Sequence, residues 1–259
     1  MKLSASARTR EEPHLDLTFM APLSEQRAAM LVEFVAGHFA GTVTDVGCGW
    51  AELLIRILQA APAASGIGID TDEAAIAHAG ALARQRGVED RIRLIAGDAK
   101  ALLPASSDAV VCIGASQIWG PPVEARMPLD YRSALGAIRS MLRPGAPAIY
   151  AEGIWTAMPT PQAIAPLAGR VDEYVFMPDL LDMARDGGFA VVQAQQATLD
   201  EWDAFESGYT ARWARWLASH PQDHPDAPAV LARLDAQRAA YFRGYRGVLG
   251  MAYLSMFAV

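Results

Sequence analysis

Basic residues are in the minority: 22 Lys and Arg stand against 29 Asp and Glu, for a formal charge of −7. Without a basic surplus the chain has no stripe to neutralise a phosphate backbone, which argues against nucleic acid as partner or substrate. Only two cysteines occur, Cys48 and Cys112. They are too few for a disulfide framework or a zinc cluster, no metal site is expected, and a reducing cytoplasm fits best. No uninterrupted run of about 18 apolar residues is present, and the N-terminus MKLSASARTREEPHLD lacks the apolar centre of a secretion signal. Neither a membrane span nor export is expected. What the chain has in quantity is apolar residue, 52% of 259 positions, enough for a sizeable core.

Short apolar runs alternate with helical patterns between residues 24 and 152, the mark of a parallel sheet covered on both faces. Strands are predicted at 42–46, 66–70, 91–96, 108–113 and 148–152. Helices are predicted at 24–38, with Ser24 as cap and Met30, Leu31, Phe34 and Val35 on one face, at 51–61, from Asp72 to Gly87, at 129–142 and at 178–186. GFAVVQAQQA supplies a sixth strand and GVLGMAYLSMFAV a seventh, with two long helices over 200–245 between them. The expected division is an N-terminal lid segment at 1–23, a Rossmann-like core at 24–199, a helical lid at 200–245 and the last core strand at 246–259. Such a lid would stand beside the carboxyl edge of the sheet, where open α/β folds place their ligands.

The turn after the first strand reads TDVGCGWA, residues 44–51. A dinucleotide fingerprint would need glycine at 52, where Glu52 stands, and no Lys-Ser or Lys-Thr follows the glycines as a phosphate loop requires. Asp45, at the end of strand one, can accept hydrogen bonds from an amine. Asp70 ends strand two, where a carboxylate can take both hydroxyls of a ribose. Asp98 follows strand three and could accept from an adenine amino group while the Ala99 N–H meets the ring. Together these describe a nucleoside with an amine and no phosphate.

Through VTDVGCGWA, GIGID, AGDA, DAVVCIGA and LRPGAPAIYAEG, the chain resembles the class I S-adenosylmethionine-dependent methyltransferases over residues 40–155. The resemblance implies that Asp45, Gly47, Cys48 and Gly49 line the methionine end of S-adenosylmethionine. It assigns Asp70 and Thr71 to the ribose, Asp98 and Ala99 to the adenine, and Gly114 and Ala115 to the sulfonium. It also implies an α/β sheet of seven strands in the order 3214576, the seventh antiparallel. Ala51 departs from the pattern, since the family often has a third glycine there. Pro22-Leu23-Ser24, the Gly-Ala pair, the EG-I-W turn and a late WDAFE helix resemble a group of small bacterial methyltransferases more distantly, without implying one substrate.

Methyl transfer needs positioning, a dry pocket and sometimes a base. Phe19, Gln117, Trp119, Trp155, Tyr209 and Trp213 are candidates for the acceptor pocket, the last two from a stripe along the first inserted helix that could equally pack onto the second. Glu152 is the first candidate base or polar anchor, and His14 the second. His220 and His224 flank Pro221 in a turn, a poor metal site. Strand four ends in Gly-Ala-Ser-Gln rather than the Asn/Asp-Pro-Pro-Tyr of enzymes that methylate amino groups of nucleic acids. The expectation is a methyltransferase, monomer or homodimer, acting on a small organic acceptor through oxygen, nitrogen or carbon. Its rivals are non-methylating chemistry with the same cofactor, and a non-catalytic nucleoside-binding protein.

Overall fold

The alternation of apolar runs and amphipathic segments folds into one sheet in the computed structural model, which describes residues 16–259. The strands are β1 (Thr42–Val46), β2 (Ser65–Asp70), β3 (Ile92–Ala96), β4 (Ala109–Ile113), β5 (Pro147–Trp155), β6 (Phe189–Gln196) and β7 (Leu249–Ala258), in the order β3-β2-β1-β4-β5-β7-β6. β1 to β5 run parallel, and β7 lies antiparallel between β5 and β6. This is the expected seven-stranded, mostly parallel arrangement.

Successive residues of each strand serve opposite layers, as the two-residue period demands. Val111 and Ile149 join Leu31, Val35, Leu54 and Leu58 on one face, from helices α1 (Glu25–Ala36) and α2 (Glu52–Ala60). Their neighbours Val110 and Tyr150 face the other way, towards Leu135 and Leu180. Helices α3 (Glu73–Gln85), α4 (Ala99–Leu102), α5 (Tyr131–Met141), α6 (Pro161–Ile164) and α7 (Met177–Asp186) complete the layers. The cap at Asp72 is as predicted, its carboxylate accepting from the Ala74 and Ala75 N–H groups.

β5 is longer than its sequence pattern suggests. It stays in register with β7 as far as Trp155 opposite Leu249, so its end is set by a partner about a hundred residues away. Between β6 and β7 stand α8 (Leu199–Ala218), α9 (Ala227–Ala239) and a six-residue π turn, Ala240–Tyr245. No helix among the described residues is long and apolar enough to cross a membrane.

α8 is fastened to the core at its first turn. Arg27 of α1 donates from Nε and Nη2 to the two carboxylate oxygens of Glu201, at 2.9 and 2.8 Å, and from Nη1 to Gln195. Both side chains are nearly excluded from water. Burial alone would raise the Glu201 pKa, but hydrogen bonds from Arg27, Ser24 and Thr198 outweigh it and hold the carboxyl at about 2. Its folded pKa is thus depressed, and its contribution, complete well above pH 4.5, is lost as pH falls towards 2. Arg27→Ala strands this carboxylate, and a loss of about 3–5 kcal/mol is expected in denaturant unfolding at pH 7.

Candidate active site

The chain leaves β1 on one side of the sheet and β4 on the other, so the carboxyl ends of these neighbours part and leave a crevice. A cavity of about 380 Å³ occupies it. Every residue expected at the cofactor, from Asp45 to Ala115, lines this cavity.

Two glycines shape its floor. Gly47 has φ +72°, and a Cβ there would lie 2.5 Å from that of Ala115, so the β1 turn and the loop after β4 can touch only without a side chain. Gly49, at φ +53°, faces open space and donates its N–H to Asp70 at 2.8 Å. The Gly47 and Cys48 N–H groups both reach the Ile69 carbonyl, which ties the turn to β2. Ala51 also adopts the left-handed conformation, at φ 58°, a strain of about 1–2 kcal/mol for a residue with a Cβ. Alanine at a helix start is therefore less mild here than its size suggests.

Asp45 is 5% exposed and has no hydrogen-bond donor among the described residues. Burial first, and the Asp70 charge second, push its pKa to about 7. Asp70 accepts from the Gly49 and Asp72 N–H groups, and Asp98 caps α4 through the Lys100 N–H at 2.9 Å. Glu52 is held by Arg56 at 2.6 Å and Arg86 at 3.3 Å. Burial raises the Cys48 thiol far above its ordinary range, which leaves it unreactive. Among the described residues the cavity wall carries no Lys, Arg or His and four carboxylates, of which Asp45, Asp70 and Asp98 have no ion-pair partner. That field repels phosphate and suits a ligand bearing ammonium and sulfonium groups.

Residues 16–23 roof the cavity. Trp50 Nε1 donates to the Thr18 carbonyl at 2.8 Å and Tyr253 Oη to the Pro22 carbonyl at 3.0 Å, while the Arg56 guanidinium stacks 4.8 Å from the centre of the Phe19 ring.

Residues 43–145 match a family described as a methyltransferase domain. The chain is similar to the uncharacterized protein YjhP of Escherichia coli (strain K12), at 25% identity over 240 residues, 92% of each protein. Its fold is also that of S-adenosylmethionine-dependent methyltransferases from Geobacter sulfurreducens and Thiobacillus denitrificans, both solved with S-adenosyl-L-homocysteine. Their TM-scores are 0.82 and 0.80 at 24% and 25% identity, with 100% of each chain covered. The chain carries a class I S-adenosylmethionine-dependent methyltransferase domain. S-adenosylmethionine is its cofactor.

The acceptor side of the methyltransferase departs further from expectation. Phe19 and Gln117 line the cavity; Trp119, Trp155, Tyr209 and Trp213 do not. Trp155 is 1% exposed, donates to the Val171 carbonyl and meets Tyr174 edge-on, so it is core. Trp119 packs against the second apolar layer. Tyr209 and Trp213 flank the Arg212 guanidinium, and Trp213 packs with Trp216 on Ala227 and Val230 at the start of α9. The C-terminal part of the stripe therefore faces α9, while Tyr209 meets Phe205, Arg212 and Trp213 of its own helix. Glu152 is buried away from the cavity, its oxygens accepting from the Ser116 N–H at 2.9 Å and the Gly153 N–H at 2.8 Å. It is an anchor for the loop that carries Ala115 and Gln117, not a base at the cavity. Burial, only partly offset by these bonds, raises its pKa. His14 lies outside the described residues. Sequence reasoning passed over Trp50, although it follows the glycines directly, and Leu23 and Ile118, which no spacing rule marks.

Asp45 carries a pH signature. Its folded pKa is raised to about 7 from 3.8, so charging it costs stability progressively as pH rises from about 4 to 7. Asp45→Asn should therefore raise Tm at pH 8 by more than at pH 5, as thermal melts at the two pH values would show.

Proposed function

We propose that S-adenosylmethionine lies in the β1–β4 crevice with its ammonium on Asp45, its ribose hydroxyls on Asp70 beside Thr71, and its adenine at Asp98 and Ala99. Gly47, Cys48 and Gly49 follow the methionyl chain, and Gly114 and Ala115 border the sulfonium. One observation carries this reading: carboxylates at the ends of three successive parallel strands meet in one cavity whose described wall holds no cation.

The bound cofactor supplies an electrophilic methyl group, and the methyltransferase has to place a nucleophile in line with it and keep water out. Phe19, Leu23, Ile113 and Ile118 give the wall its apolar character, and the Gln117 amide can orient one polar atom of an acceptor. The roof over this crevice, pinned by Trp50 and Tyr253, suits a small organic acceptor better than a polymer. Glu152 acts at one remove, by fixing the loop that bears Gln117. Both cysteines are free thiols, in keeping with the cytoplasm as site of action.

Asp70→Ala removes the ribose acceptor and the brace on Gly49 together. A loss of S-adenosylmethionine affinity of roughly tenfold to a hundredfold is expected in calorimetry; unchanged affinity would place the ribose elsewhere. Turnover of a small acceptor should release S-adenosylhomocysteine in equal amount, whereas product without S-adenosylhomocysteine would establish non-methylating chemistry.

A further inference from the structure

Four acids, Asp200, Glu201, Asp203 and Glu206, sit at the start of α8, and the surroundings of the last three differ. Glu201 has Arg27 and Asp203 has Arg246, at 2.8 Å in each case. Glu206, 5% exposed, has no ion-pair partner among the described residues. It accepts only from neutral donors, Tyr245 Oη at 2.6 Å and Gln237 Nε2 at 2.9 Å. Buried carboxylates are ordinarily matched with a cation, because desolvation is expensive otherwise.

Beside Glu206 lies a cavity of about 280 Å³ that shares no lining residue with the cofactor crevice. Ser207 and Thr210 of α8, Gln237 and Arg238 of α9, and Tyr241 and Phe242 of the π turn complete its wall. The π turn directs Tyr241 to Asp203 and Tyr245 to Glu206, and such turns recur at functional positions. Tyr241 and Phe242 meet at 4.8 Å, and Phe242 stands 55% exposed. The Thr210 hydroxyl donates to the Glu206 carbonyl, so its oxygen can only accept from a guest. Carboxylate and hydroxyl oxygen ask for a ligand that is positive and donates, and the exposed Phe242 ring beside the buried Tyr241 can lie against it.

We propose that this cavity between α8, α9 and the π turn binds a small organic cation, an alkylammonium, with Glu206 as its counter-ion and Tyr241 and Phe242 as its aromatic wall. An anion is excluded by Glu206. Arg238 is exposed and makes no ion pair with Glu206 among the described residues, so the carboxylate is left to the guest. The site stands apart from the cofactor assignment, and either can fail without the other.

The test is NMR titration of the whole protein with ethylammonium and with neopentylammonium at matched ionic strength, and with neopentyl alcohol as the neutral shape control. Saturable shifts confined to resonances of α8, α9 and the π turn are expected for the cations and not for the alcohol. Glu206→Gln should weaken cation binding about tenfold and leave S-adenosylmethionine affinity unchanged. Phe242→Ala, a change at an exposed side chain, should weaken it about threefold through the lost ring face. No saturable response, equal binding by the alcohol, or undiminished binding in both variants would overturn the proposal.

Discussion

Everything at the active site depends on one topological constraint: β1 has β2 on one side and β4 on the other, and the chain leaves β1 and β4 in opposite directions. Parallel pairing holds Asp45 opposite Gly68 of β2 and Val111 of β4, so the carboxyl ends of the three strands arrive at one edge. Side chains that end those strands must then share a crevice. For Asp45 this means burial next to another acid, an unfavourable position that a cationic ligand would relieve. The same constraint requires Gly47, because the loops of β1 and β4 approach too closely there for a Cβ.

The remaining elements hold the crevice closed. α1 and α8 are joined through Arg27 and Glu201, and Ser24 Oγ donates to the same carboxylate at 2.6 Å. That joint anchors the chain just after residues 16–23, which reach from Trp50 on one side of the cavity to Tyr253 on the other. Glu152 performs the matching task below, holding the loop after β4 by its backbone. Two buried carboxylates thus serve architecture, while Asp45, similarly buried, has no structural partner. The contrast is what supports the proposal that Asp45 meets a ligand.

The sheet, and the grouping of the residues that line the β1–β4 cavity, were legible in the sequence because both follow from local pattern. Apolar runs gave the strands, and Asp45, Asp70 and Asp98 could be grouped since each ends a strand and parallel strands end together. The acceptor side was not legible in the same way. Trp155 looked like a turn residue because the end of β5 is fixed by β7, far along the chain. Helical spacing put Tyr209 and Trp213 on one face of α8 but could not say that α9, rather than the cavity, lies near that face. Glu152 could be read as a base or as a polar anchor, because its hydrogen bond to the Ser116 N–H exists only in the folded loop. A lid segment was expected at residues 1–23, but its fastenings were not legible, since Trp50 and Tyr253 hold residues 16–23 through backbone carbonyls, which no side-chain motif records.

The central claim is that Asp45 receives the cofactor's ammonium. The most direct measurement is calorimetry of S-adenosylmethionine binding near pH 6.5 in two buffers of different ionisation enthalpy. Free Asp45, with its pKa at about 7, is largely protonated there, whereas an α-amino group with a pKa of about 7.7–8.0 is mostly charged. Binding should therefore release a proton in the wild type and none in Asp45→Asn, whose affinity should also be lower. Binding without proton release, or equal affinity in the two proteins, would contradict the account.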